Sequence, residues 1–169
     1  MNDMKKIGIF YGSTTGTTAS VAEKIAENLS VAAADVFDVS KTEPSAVAPY
    51  DVFVMGCSTW GDGDMQDDMH DFMDGVQSMD LKGKKAAVFG CGDDSMSDTF
   101  CNGVGELYRM MEKTGADIIG SYNTDGYSFS ESSAVVDGKA VGLLLDNMNH
   151  EDQTDKRITE WCDELKKEM

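Results

Sequence analysis

Short apolar runs alternate with helix-forming segments along almost the whole chain, and this alternation limits the folds open to it. Four runs, at residues 7–11, 36–39, 52–55 and 86–89, have the length and character of strands, and three of them end at a glycine. Strands alternating with helices over short connections predict right-handed crossovers and a parallel sheet covered by helices on both faces. The apolar residues at helical spacing are Val21, Ala22, Ile25 and Leu29, then Met69, Phe72, Met73 and Val76, then Phe100, Val104, Leu107, Tyr108 and Met111, and finally Ile158, Trp161, Cys162 and Leu165.

A fifth strand has two candidates, at residues 118–121 and 141–145, separated by a polar stretch rich in glycine, serine and aspartate at residues 123–139. One strand position interrupted by an insertion accounts for both candidates. Residues 41–49 indicate only a weak helix or a loop. Because the chain has no linker-like boundary and no internal repeat, we expect one α/β domain spanning residues 1–169.

The first apolar run leads into a loop of hydroxyls at residues 13–18, directly before a helix. Backbone N–H groups at a helix start, the positive end of the helix dipole and neutral hydroxyl donors together favour a phosphate group. The loop lacks the lysine of a P-loop and the three spaced glycines of a dinucleotide fingerprint, so it suits a phosphate monoester. An ordinary turn and helix cap explains the same residues equally well. The candidate ligands are Ser13, Thr14, Thr15, Gly16, Thr17 and Thr18.

Two further loops, at residues 58–66 and 91–100, follow strands of the predicted sheet. In an open parallel sheet, ligands bind outside the carboxyl ends of the strands, where we expect these loops to meet the hydroxyl loop. Trp60 stands beside two glycines and several acids, which favours stacking on a planar ligand, although a lid over the fold's own core accounts for it as well. The third loop has the acids of a rim or of a solvated turn.

The charge and the cysteine content of the sequence argue against several classes of function. The sequence has 31 acidic and 14 basic residues, a net charge of −17, which argues against nucleic acid and anionic membranes and for partners with basic surfaces. No stretch approaches a membrane span and no signal-peptide cleavage pattern follows the first residues, so we expect a cytoplasmic protein. The four cysteines form no CxxC pair, and His70 and His150 are isolated, which indicates buried free thiols and neither a disulfide framework nor a zinc site.

Five segments in register resemble the long-chain flavodoxin family. They are GSTTGTT at residues 12–18, STWGDGDMQDD at 58–68, FGCGDDSMSDTF at 89–100, NTDGYSFSESSAVVDGKAVGLLLD at 123–146 and DNMNHEDQTDKRITEW at 146–161. The resemblance implies a three-layer sandwich whose five-stranded parallel sheet has the order 2-1-3-4-5, with the fifth strand split by the insertion. It also implies non-covalently bound FMN and one-electron transfer from a donor reductase to an acceptor oxidoreductase. No catalytic residue, metal or substrate turnover of its own is implied.

The resemblance also assigns roles to residues of this chain. Gly61 allows a peptide flip that brings a carbonyl to the flavin N5–H, and the acids of the second and third loops make the reduced flavin a strong reductant. Met96 falls where relatives usually place an aromatic ring on the second flavin face, in a third loop that is one residue shorter than usual. The implied carrier is a monomer of low potential. Beyond the hydroxyl loop, the implied cofactor contacts are Ser58, Thr59, Trp60, Gly61, Asp62, Gly63, Asp64, Cys91, Gly92, Asp93, Met96, Asp98, Phe100 and Cys101.

Two rival functions stay open at this point. One is an FMN-dependent reductase acting on a small molecule such as a quinone or a porphyrinogen, which needs a proton donor over the flavin; no His, Tyr or Cys is clearly placed for that role. The other is a flavin-free phosphate-binding or receiver-type module. A receiver needs acids at the end of the first strand, where Phe10, Tyr11 and Gly12 stand instead.

Overall fold

The computed structural model describes residues 6–12, 16–60, 64–65, 67–91, 101–123, 132–146 and 151–169. The strands and helices follow one another as β1 (Ile7–Gly12), α1 (Thr17–Leu29), β2 (Val36–Asp38), β3 (Val52–Trp60), β4 (Asp64–Met65), α2 (Asp67–Val76), β5 (Lys85–Cys91), α3 (Asn102–Glu112), β6 (Asp117–Ile119), β7 (Val135–Val136), β8 (Lys139–Ala140), β9 (Leu143–Leu145) and α4 (Glu151–Glu168). Among these elements, no helix has both the length and the apolar character needed to cross a bilayer.

The main sheet is parallel and has the order β2-β1-β3-β5-β6, with β9 also paired to β5. β6 pairs with the first half of β5, from Lys85↔Asp117 onward, and β9 pairs with the second half, ending at Cys91↔Leu145. The two short strands therefore occupy one strand position, and the chain leaves and re-enters the sheet between them. This arrangement confirms the predicted order 2-1-3-4-5 and the split fifth strand.

The third strand is longer than the sequence predicts. The expected end at Gly56 is wrong, because the backbone continues to pair with β5 as far as Ser58↔Cys91 and then pairs with β4. β4 has no counterpart among the predicted elements, since two residues carry no periodicity. The segment predicted as weak helix or loop contains a 3₁₀ turn, Pro44–Val47, with its proline at a helix-start position where no N–H is needed.

Alternate residues of the central strands fill two cores, one on each face of the sheet. Phe10 and Phe53 pack with the apolar faces of α2 and α3, whereas Ile9 and Val54 pack with those of α1 and α4. The helical positions predicted in α1, α2 and α4 are all buried; in α3, Tyr108 is only half-buried and Phe100 lies outside the described residues. Because burial of each large side chain contributes about 1.5–3 kcal/mol, the two cores fix the layers above and below the sheet.

The insertion in the fifth strand is tied back to the sheet and to α3. Tyr122 and Ala140 exchange both backbone hydrogen bonds, and the Ser133 N–H donates to Asn102 Oδ1 at 2.8 Å. Just before β9, the backbone approaches so closely that a Cβ on Gly142 would lie 1.9 Å from the carbonyl oxygen of Val88. Only glycine therefore lets the chain re-enter the sheet beside β5 at this point.

Candidate functional site

The carboxyl ends of β1, β3 and β5 lie side by side at one edge of the sheet. Gly12, the last residue of β1, is in register with Cys57, and the next residue of β3, Ser58, is in register with Cys91, the last residue of β5. The three predicted loops therefore leave the sheet next to one another. We call this region, formed by Gly12, Ser58, Cys91 and the start of α1, the three-loop edge.

The first turn of α1 gives the three-loop edge an anion-binding geometry. Gly16 precedes the helix with φ +92° and ψ −10°, in the left-handed region, where a residue with a side chain is strained. A Cβ placed there would meet nothing within 4 Å, so the backbone conformation and not the available space calls for glycine. No acidic residue lies in the first turn, which leaves the positive end of the helix dipole unopposed there.

The two threonines of this turn lie in different surroundings. Thr17 is half-buried, whereas Thr18 is fully buried and its side chain hydrogen-bonds with the Cys91 thiol. Burial is the main cause that raises the pKa of Cys91 to about 12. The hydrogen bond with Thr18 lowers this pKa, whereas the charge of Asp146 raises it further. The thiol is therefore protonated at neutral pH and connects the start of α1 with the end of β5.

Buried thiols lie close to the three-loop edge, at the end of β5 and before α3. Cys101, which precedes α3 with φ +52°, donates its thiol hydrogen to the Leu145 carbonyl at 4.0 Å. Burial raises the pKa of Cys101 well above its ordinary value, and Cys91, Cys57 and Asp146 raise it further. All four cysteines are buried, as the sequence predicts, and none of them is in a disulfide. Cys91 and Cys101 are thus neutral thiols and not thiolates, with Cys91 in the core that contains α1 and α4 and Cys101 in the core that contains α2 and α3.

Asp146 is a residue of this region that the list of predicted contacts omits. It follows β9 directly, is fully buried, and lies close enough to Cys91 and Cys101 to raise the pKa of both thiols. An aspartate immediately after three leucines is the signal that could have indicated it, because a carboxylate next to a buried strand is uncommon without a structural or functional partner.

The remaining predicted contacts are described in part or not at all. The backbone of β3 continues through Trp60, which is in register with Asp64 of β4, so the two strands bring these positions together on either side of residues 61–63. The backbone positions of Ser58, Thr59, Trp60 and Asp64 are therefore at the three-loop edge. The predicted contacts that lie outside the described residues are Ser13, Thr14, Thr15, Gly61, Asp62, Gly63, Gly92, Asp93, Met96, Asp98 and Phe100.

Negative charge adjoins the three-loop edge at the start of α2. Asp67 and Asp68 stand in the first turn of this helix, with Asp67 exposed and Asp68 half-buried. Carboxylates at a helix N-terminus are stabilised by the helix dipole, so these two acids also favour the helix start. The neutral first turn of α1, within the three-loop edge, therefore contrasts with the acidic first turn of α2 beside it.

The chain is similar to known proteins in both sequence and fold. A family model described as Flavodoxin matches residues 9–161. Flavodoxin 1 of Azotobacter vinelandii is 41% identical, with 98% of each chain covered, and a flavodoxin of Nostoc sp. strain PCC 7120 is 39% identical with the same coverage. Among solved structures, Fusobacterium nucleatum flavodoxin bound to flavin mononucleotide superposes with a TM-score of 0.90 at 30% identity, covering 98% of this chain and 99% of its own. The chain therefore belongs to the flavodoxin family.

Proposed function

We propose that this protein is a one-electron carrier that holds FMN non-covalently at the three-loop edge and moves electrons between redox enzymes. Membership of the flavodoxin family and the solved relative with bound flavin mononucleotide support this function. The single structural observation that carries it is the meeting of three strand ends with the start of α1, where Gly16 adopts its left-handed conformation. When bound, FMN supplies the one-electron chemistry.

The first turn of α1 and the hydroxyl loop hold the phosphate in this proposal. The segment from Gly12 to Thr18 contains no lysine or arginine, so the phosphate dianion is bound by N–H dipoles and hydroxyls and its charge is left largely uncompensated. The hydroxyl donors are Ser13, Thr14, Thr15 and Thr17. Because the side chain of Thr18 contacts Cys91 in the core, Thr18 contributes through its backbone N–H group.

The second and third loops hold the flavin ring in this proposal. Trp60, Gly61 and Met96 are the residues that would hold the ring, Trp60 and Met96 through contacts with its faces and Gly61 through its backbone carbonyl. The buried thiols of Cys91 and Cys101, which flank the third loop in the sequence, are neutral. Neutral thiols and an apolar ring stack disfavour added negative charge on the flavin, so they lower its potential together with the acids around it.

The acidic surface selects the partners in this proposal. A chain of net charge −17 is steered toward basic patches, and the acids at the start of α2 place part of that charge beside the site. The carrier works as a monomer, one domain over residues 1–169, because electron transfer requires its site to face two different enzymes in turn. We place it in the cytoplasm, where reduced thiols persist; the four cysteines, none of which is in a disulfide, suit such a compartment.

Two assays on the purified protein test this function. The flavin is extracted and chromatographed, and we expect FMN and not FAD, because the first turn of α1 offers a single phosphate site. The protein is then mixed with NAD(P)H and a quinone without any reductase, and we expect no turnover. Recovery of mainly FAD would contradict the cofactor, and steady oxidation of NAD(P)H would show an enzyme with its own substrate.

A further inference from the structure

One imidazole and three carboxylates meet on the exposed faces of α2 and α3. His70 Nδ1 lies 3.6 Å from Asp74 Oδ2, one turn later on α2, and His70 Nε2 lies 3.8 Å from Glu106 Oε1 on α3. Asp71 adds a third group on α2, and the ligand atoms of His70, Asp71 and Asp74 all lie within 4.8 Å of one another. These side chains are outside the contacts proposed for FMN.

The His70–Asp74 separation suits two ligands that share a metal ion better than it suits a direct hydrogen bond. At 3.6 Å, this nitrogen–oxygen distance exceeds the range of about 2.7–3.2 Å for N–H···O bonds. Two ligands at about 2.1 Å from a tetrahedral or octahedral ion stand roughly 3.0–3.4 Å apart, so the His70–Asp74 pair needs to close by only a few tenths of an ångström. The ligand atoms of the whole set, which includes Asp71, lie within 4.8 Å of one another, so the widest pair needs to close by up to about 1.4 Å. Exposed side chains on a helix make such a shift by small rotations.

Glu106 stands where a carboxylate could accept a hydrogen bond from the ring nitrogen of His70 that does not bind the ion. If an ion binds His70 Nδ1, the opposite nitrogen Nε2 carries a hydrogen that points toward Glu106 on the neighbouring helix. Histidines that ligate metals almost always donate their other N–H to a carboxylate, carbonyl or water, which fixes the tautomer and makes the ligating nitrogen more basic. At 3.8 Å, Glu106 Oε1 needs to approach His70 Nε2 by about 0.6 Å to accept this hydrogen, and the two neighbours of His70 would then have the two roles that a metal-binding histidine needs.

We propose that His70 Nδ1, Asp74 and Asp71 bind one first-row divalent cation of the Zn²⁺ class, with Glu106 as the residue that positions the imidazole. An imidazole nitrogen among the ligands favours such ions over Mg²⁺ and Ca²⁺, which prefer an all-oxygen set. The side chains of His70, Asp74 and Glu106 are 46%, 55% and 44% exposed, so an ion reaches them without any opening of the fold, and water completes its coordination.

The sequence presents His70 as an isolated histidine because the partners here are carboxylates. Zinc sites are recognised in a sequence by the spacing of cysteine and histidine pairs. This group instead combines one histidine with Asp71 and Asp74 on the same helix and with Glu106 on another. Only the packing of α2 against α3 brings the fourth side chain to the imidazole.

Calorimetric titration with ZnCl₂ tests the proposal on the FMN-loaded protein in a chelator-treated buffer. We expect one Zn²⁺ per chain and binding at least about tenfold weaker in His70→Gln and in Asp74→Asn. The matched controls are His150→Gln, which removes the other histidine, and Glu27→Gln, which removes an exposed acid of α1; both keep the affinity within about twofold. Zn²⁺ affinity that is unchanged in His70→Gln would contradict the proposal, and so would weak binding of several Zn²⁺ ions per chain that no variant alters.

Zn²⁺ affinity of Glu106→Gln and NMR spectra of the imidazole test the positioning role of Glu106 separately. We expect Glu106→Gln to weaken Zn²⁺ binding about tenfold, while the unfolding temperature without metal and the visible flavin spectrum stay unchanged. Imidazole ¹H–¹⁵N correlation spectra with Zn²⁺ should show the ion on Nδ1 and the hydrogen on Nε2 of His70. An ion on Nε2, or full affinity in Glu106→Gln, would contradict this role.

Discussion

The two sides of the three-loop edge differ in charge. The phosphate side, residues 12–18, contains no charged residue. The ring side, residues 58–68 and 91–100, contains no lysine or arginine and the acids Asp62, Asp64, Asp67, Asp68, Asp93, Asp94 and Asp98. A neutral site built from backbone geometry binds its anion through local contacts, whereas clustered charge acts over a Debye length and is screened by salt. We therefore expect the phosphate side to set cofactor affinity and the ring side to set potential and partner choice.

Reduction by a partner enzyme should show the largest effect of the ring side. As ionic strength rises from about 0.01 M to 0.15 M, the Debye length falls from about 30 to 8 Å, and we expect the bimolecular rate of reduction by an NAD(P)H-dependent reductase to fall about tenfold. Reduction by dithionite, a small anion, is the control and should become faster over the same range. A partner rate that is indifferent to salt would contradict the proposed steering.

Backbone geometry on the phosphate side is tested by Gly16→Ala. An alanine held in the left-handed region costs about 1–2 kcal/mol, so we expect FMN affinity to fall about five- to thirtyfold, as measured by titration of apoprotein. Gly83→Ala is a matched control, because Gly83 also has a positive φ, +87°, and no atom within 4 Å of its Cβ position, but it precedes β5 at the opposite end of the sheet. Equal loss of affinity in both variants would show a general destabilisation and not a local one.

Met96→Tyr tests whether the ring side also contributes to affinity. A thioether against a ring is worth about 0.3–1.5 kcal/mol, whereas stacking an aromatic side chain on a heteroaromatic base reaches about 1–3 kcal/mol. With a difference of about 1 kcal/mol, we expect FMN to bind about fivefold more tightly, and the potential of the second electron to fall. Met96→Leu removes the sulfur without adding a ring and should change affinity little. No change in affinity or potential in Met96→Tyr would mean that Met96 does not cover the second flavin face.

The smallest expected effect is that of a single charge. At about 12 Å and an effective dielectric of about 40, one carboxylate disfavours an anionic flavin by about 0.7 kcal/mol, or roughly 30 mV for one electron. We expect Asp62→Asn to raise the potential of the second electron by this amount and to change FMN affinity less than about twofold. Asp117→Asn, an exposed acid at the start of β6, is the control and should leave the potential unchanged. A larger change in affinity than in potential would break the division between the two sides.

Much of the fold could be predicted because its signals are periodic. Residues at helical spacing such as Ile25 and Trp161 lie in the core, and the two candidates for the fifth strand occupy one position beside β5. The end of β3 could not be predicted, because its last residues pair with β4, a partner too short to show a pattern.

The predicted contacts with the cofactor stay predictions. For Gly16, the left-handed conformation at the start of α1 gives a physical reason for a glycine at this position. The sequence could not reveal that Thr18 turns inward to Cys91, since both a surface hydroxyl and a buried one satisfy the same helical start. Nor could it reveal Asp146 beside the thiols, because that proximity arises only when β9 pairs with β5.

A redox titration of the purified protein, followed by its visible spectrum, tests the central claim most directly. The claim is that this chain carries one FMN at the three-loop edge and passes single electrons. It predicts one FMN per chain and two resolved one-electron steps, the second at a potential lower than that of free FMN because of the surrounding carboxylates. A single two-electron step at the potential of free flavin, or protein without flavin that binds none on titration, would contradict it.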